Sequence, residues 1–67
     1  MSYPTVETYR VMRAAGYGAR WVVRADYGDT IESEEAAIRR GRGFQLREEA
    51  LDEVERLRAL KGVVASE

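Results

Sequence analysis

Chemistry in this chain must come from charged side chains, because the usual nucleophiles and soft metal ligands are missing. The 67 residues contain no cysteine and no histidine. That removes disulfides, thiolate or imidazole metal sites, and Cys- or His-based catalytic sets. Two charged groupings remain. Arg39-Arg40-Gly41-Arg42-Gly43 places three guanidiniums on a glycine-flexed stretch. Such a loop could grip phosphates while Phe44 or Tyr27 stacks on a base. The same arginines could instead pair with Glu32, Glu34 and Glu35 on a solvated loop, or meet a protein. Glu48, Glu49, Asp52, Glu53 and Glu55 form the second grouping. Metal or acid–base chemistry would need them to converge in a dry cleft with oriented partners. One solvated helix face supplies no such cleft, and no nucleophile–base–orienter set can be assembled. The chain therefore reads as no enzyme, with no cofactor and no metal. Gly-x-Gly at Gly16–Gly18 and at Gly41–Gly43 lacks the rest of a phosphate loop and counts as turn chemistry.

The totals narrow the partners. A formal net charge of −1 with both signs interspersed argues against a strongly basic nucleic-acid binder and against an acidic tail. No apolar run approaches membrane-spanning length, and no secretory signal opens the chain, so the expectation is a cytoplasmic protein with no membrane contact. The length allows one domain, residues 1–67. At that size apolar burial barely exceeds the entropy of ordering the chain, and without metal or disulfide a second copy is the remaining staple.

The elements that must position these residues are organised around Arg20–Ile31, RWVVRADYGDTI. Trp21-Val22-Val23 is a strand signal, Asp26-Tyr27-Gly28-Asp29 a tight reversal, and Thr30–Ser33 a short third strand. Before it, Val6–Ala14 alternates as a first strand, and Gly16-Tyr17-Gly18 turns the chain. Pairing across Gly16-Tyr17 sets Met12 opposite Trp21 and Val11 opposite Val22; a slip of one residue would swap the faces. The Trp21 face, with no charge at its middle, is taken as the core. Residues 34–43 admit a short helix through Arg40, capped by Ser33 and ended by Gly41, or a strand tail running into a loop; a loop with one helical turn is the preferred reading. Tyr17 is expected at an exposed turn tip, and the two chain ends are expected to fray.

Arg47–Lys61 is a helix, with Leu46, Ala50, Val54, Leu57 and Leu60 on one stripe flanked by Leu51. Glu48 and Glu49 sit in its first turn, basic residues in its last, and Gly62 comes next as a stop. Leu46 stands where a polar cap is usual, unless Gln45 serves. Each fully buried member of the stripe should contribute about 1.5–3 kcal/mol. The fold class is α+β: a three-stranded antiparallel sheet with a C-terminal helix on one face (βββα), and a short extra helical turn around 34–40.

Tyr9 and Arg13, Arg20-Trp21-Val22-Val23-Arg24-Ala25, Gly28-Asp29-Thr30-Ile31, Phe44 with Arg47, and Ala50, Val54, Leu57 and Arg58 together resemble the YegP-like family. These are small proteins built from one or two copies of a strand-strand-strand-helix unit. The resemblance covers about Tyr9 to Arg58. It implies a βββα unit paired with a second unit, in tandem or as a homodimer, and no reaction. Two departures stand out. Extra residues around Ala36–Gly43 separate the third strand from the aromatic before the helix, and Tyr27-Gly28 stands where Asn-Gly is typical. The Gly-Arg-Gly run before a helix also looks faintly like a double-stranded RNA-binding domain, but Arg47-Glu48-Glu49 sets acid where lysines should meet phosphate.

These readings give an expected function. The chain is a small non-enzymatic protein-interaction module, an accessory factor or phage-type inhibitor of a host complex. The alternative is a nucleic-acid binder using Arg39, Arg40 and Arg42 with Phe44. A homodimer is expected through sheet edges or through a second sheet face carrying Tyr9, Val11, Arg20, Val22 and Arg24. An unidentified protein is the expected further partner.

Overall fold

The computed structural model describes the backbone of residues 5–16 and 18–65, with side chains as far as residue 60. The expected Tyr17 turn tip and the extreme chain ends lie outside the described residues. Strand β1 (Thr8–Arg13) pairs antiparallel with β2 (Trp21–Asp26), helix α1 (Glu34–Arg39) comes next, and the two-residue strand β3 (Gly43–Phe44) leads into helix α2 (Arg47–Ala65). The sheet order is β1-β2-β3, with β2 in the centre. This is the expected α+β sheet with a C-terminal helix. No helix among the described residues is long and apolar enough to cross a membrane.

The third strand is not Thr30–Ser33. Ile31 forms a lone bridge with Asp26, whereas Phe44 and Gly43 pair with Trp21 and Val22 at the other end of the same edge. From Asp26 to Trp21 is five positions on β2, but from Ile31 to Phe44 is thirteen, so eight residues are looped out of one split strand. Those residues make α1, a six-residue helix rather than a single turn. Ser33 Oγ accepts the Ala36 N–H at 3.2 Å, two glutamates occupy the first turn, and Gly41 takes the left-handed conformation (φ 81°) that ends it. Glu34 also reaches the β1–β2 connection, accepting N–H bonds from Ala15 and Gly16 at 3.0–3.2 Å.

The register of β1 on β2 is one residue from the expected one. Met12 lies opposite Val22, Val11 opposite Val23 and Tyr9 opposite Ala25. The connection is therefore one residue longer than a turn centred between Gly16 and Tyr17. Because strand side chains alternate, Tyr9, Val11, Trp21, Val23 and Ala25 share one face, and Met12, Val22 and Arg24 share the other. On the first face α2 supplies Ala50 and Val54, which cluster with Val23 and are flanked by Tyr9, Val11, Trp21, Phe44 and Leu57. On the second, Val22 is fully buried. There α1 covers it, with Ala37 also fully buried and Ile38 close to Gly43. A Cβ on Gly43 would stand 3.1 Å from Ala19 Cβ and 3.2 Å from Ile38 Cγ1, so glycine is what lets α1 lie this close.

Helix α2 keeps only the middle of its expected stripe. Ala50 and Val54 are buried, but Leu46 and Leu60 are more than half exposed. Its start is capped in a way the residue types obscured. Glu49 Oε1 accepts the Leu46 N–H at 3.2 Å, the carboxylate half of a capping box. Gln45 does not cap; its Nε2 donates to the Gly18 carbonyl at 2.5 Å and ties the helix start to the β1–β2 connection. Gly62 does not end the helix, which runs to Ala65. A lone glycine costs only about 1 kcal/mol against alanine, too little to stop a helix with no proline after it.

Candidate interaction surface

The basic run meets carboxylates at every arginine. Arg39 pairs with Glu35 at 2.5 Å, Arg40 pairs with Glu32, and Arg42 grips Glu32 with both guanidinium nitrogens, at 2.8 and 2.9 Å. Glu32 is itself buried, its side chain 3% exposed, while Arg42 is 12% exposed. Phe44 lies in β3 against the core rather than on a free loop. The three arginines therefore present no shared, unpaired cationic surface, and their aromatic neighbour packs inward.

Glu32 and Arg42 do what the split strand leaves undone. Where the strand is interrupted, the edge of β2 still carries backbone groups that need partners. The Ala25 N–H donates to Glu32 Oε1 at 3.1 Å while the Glu32 N–H donates to the Ala25 carbonyl at 2.8 Å. The Val23 N–H donates to the Arg42 carbonyl at 3.0 Å. Burial pushes the Glu32 carboxyl upward, but the Ala25 N–H and the Arg42 and Arg40 guanidiniums more than offset it and hold its pKa below the ordinary value. Asp26 is held low in the same direction by Arg10 and by the Gly28 N–H. Arg42 also lies over the Tyr9 ring, 5.9 Å from its centroid.

The expected dimer face is dispersed. Tyr9 and Val11 face α2, Val22 and Arg24 face the α1 side, and Val22 has no exposed surface. Arg24 Nε donates to the Glu32 carbonyl at 2.6 Å, and Arg20 lies beyond the end of β2, its N–H bonded to the Phe44 carbonyl. The cause is the one-residue register difference, which separates Tyr9 and Val11 from the even-numbered residues of β2.

A different surface takes their place. Between β1 and α2 runs an open groove of about 660 Å³, its floor made by Tyr9, Val11, Leu51 and Val54 and its rim by Arg47, Glu55 and Arg58. Tyr9 and Val11 are only partly buried, and Leu51 is 38% exposed. The groove lies against the outer edge of β1, which has no neighbour in the sheet among the described residues. The Ala14 N–H donates inward to the Arg20 carbonyl. By alternation the backbone groups of Tyr9, Val11 and Arg13 point outward. Arg47, Leu51, Val54 and Arg58 recur at helical spacing as a second stripe on α2; that period is the signal by which this surface could have been found, whereas nothing in the residue order marked Glu32 as the buried hub.

The family-model scan finds no match for this chain, and searches of curated proteins and of solved structures find none either.

Proposed function

We propose that this chain is a small non-enzymatic protein-interaction module, and that it receives its partner along the outer edge of β1 and the groove beneath it. One observation carries the reading. A six-residue strand with an unpaired edge runs beside a groove floored by half-buried apolar side chains. Extended segments add to such edges through main-chain hydrogen bonds, and adjoining pockets select their side chains. A homodimer is the competing occupant of this edge, now by the edge route alone, since α1 occupies the second sheet face. The YegP-like resemblance is retained on the same footing. It rests on the residues that carry it, and α1 accounts for the extra residues that set this chain apart. The nucleic-acid reading loses support because Arg39, Arg40 and Arg42 each pair with a carboxylate.

Photo-crosslinking tests the proposal. A benzophenone amino acid at position 51, in the groove, is compared with one at position 35, on α1. A nuclease-resistant protein adduct from position 51 and none from position 35 is the expected result. Equal yields from both, or adducts that vanish with nuclease, would remove the reading.

A further inference from the structure

We infer that the groove takes an extended peptide bearing two carboxylates on either side of an apolar residue. This rests on the docking reading above and adds the chemistry of the partner. Five arginines are neutralised, Arg10 by Asp26, Arg39 by Glu35, Arg40 and Arg42 by Glu32, and Arg56 by Glu53; away from the groove Arg20 and Arg24 have no carboxylate partner among the described residues, Arg24 donating to the Glu32 carbonyl. Among the described residues Arg47 and Arg58, on the groove rim, form no ion pair. Arg13, at the end of β1, is likewise without one. Arg13 and Arg47 approach the Trp21 ring at 5.4 and 5.9 Å, contacts that leave their N–H donors open to a carboxylate. Glu55 is the one acidic residue on the rim, so the balance along the groove is positive in a chain that is negative overall.

The spacing sets the sequence such a peptide must have. Arg47 and Arg58 are eleven residues apart on α2, about 16 Å along the axis. A strand advances about 3.4 Å per residue and returns a side chain to the same face at every second position. Two carboxylates four positions apart span about 14 Å, and the reach of the glutamate and arginine side chains covers the remaining few ångströms. The residue midway faces the Tyr9, Val11 and Leu51 floor, while the backbone bonds to the outward groups of Tyr9, Val11 and Arg13. A second copy offers a poorer match, since it brings the same arginine-rich edge against itself.

The test is a titration of the isotope-labelled full chain with acetyl-Ser-Glu-Thr-Val-Thr-Glu-Ser-amide, alongside the version with lysine at both glutamates. The acidic peptide is expected to shift the resonances of Tyr9, Val11, Leu51 and Arg58 and to slow amide exchange at Tyr9, Val11 and Arg13. Its lysine counterpart should bind roughly tenfold more weakly. The Arg47→Glu/Arg58→Glu variant changes two exposed side chains and should invert that preference with its unliganded spectrum otherwise kept. Equal binding of both peptides would overturn the carboxylate assignment and leave the docking reading standing. Absence of binding by either would overturn both. Edge amides already protected without peptide, in proportion to protein concentration, would make a second copy the occupant and overturn the inference.

Discussion

Replacing the Glu32 carboxylate by an amide leaves the largely enclosed Arg42 guanidinium without its anion and releases the more exposed Arg40. The Glu32 side chain is 3% exposed and is shared by Arg40, Arg42 and Ala25. Breaking a buried pair by taking away one partner leaves an uncompensated charge. Glu32→Gln is expected to lower stability by roughly 3 kcal/mol, near the lower end for such changes because Arg40 is mostly solvated. The pH dependence has a definite sign. The folded pKa of Glu32 lies below the ordinary value, so its contribution is fully present above about pH 4.3. It is lost as pH falls from there through the folded value. Asp26, lowered by Arg10 and the Gly28 N–H, acts in the same direction. Urea unfolding of wild type and Glu32→Gln at neutral and acid pH checks both points. The variant should be weaker at neutral pH and lose less on acidification. Equal acid losses in the two proteins would assign the acid limb to other carboxylates.

Among the elements, α1 and the split strand hold the main disagreement between residue pattern and fold. The central strand, the reversal after it and the terminal helix were legible because each has a local signature: β-branched run, Asp-x-Gly turn, apolar stripe. The register was not, because Val6–Ala14 mixes apolar and charged residues on both faces and either face could be set inward. The third strand was misplaced for a related reason. Thr30-Ile31 has strand propensity but only one bridging position, whereas Gly43-Phe44 opens with a glycine unfavourable in strands and is held in place by pairing with β2 and packing against α2. Side-chain bonds from Glu32 across the gap cannot be read from spacing. Excision of residues 34–41 tests whether the two pieces are one strand. It removes eight residues, the number looped out, and brings Ile31, Glu32, Arg42 and Phe44 into a single register on β2. The shortened chain is expected to keep its β-sheet circular dichroism. It should also self-associate by light scattering, because Val22 loses the helix that covers it. A chain without sheet signal would show that α1 is needed to form the strand it interrupts.

For the whole molecule the deciding quantity is how little of it is fully buried. Among the described residues the buried apolar ones are Val22, Val23, Ala25, Ala37, Ala50 and Val54, and the two valines Val22 and Val23 are the largest fully buried side chains. Trp21, Phe44, Leu57, Tyr9 and Val11 pack against this core from partly exposed positions. A domain of this length with so small a core sits near the limit of independent stability. Its folded population should therefore respond strongly to anything that binds the native state alone. At a ligand concentration a hundred times the dissociation constant, mass action adds about 2.7 kcal/mol. In a domain of this size that raises the melting temperature by roughly 10–20 °C. The acidic peptide should produce such a rise in a thermal scan monitored by Trp21 fluorescence. Raising salt should reduce it, because the Arg47 and Arg58 contacts lie on an exposed rim and are screened. Leu51→Asp should abolish it by setting a carboxylate in the floor. A rise that persists in that variant would place the ligand elsewhere on the molecule, and a rise indifferent to salt would mean that the apolar floor, and not the arginines, provides the recognition.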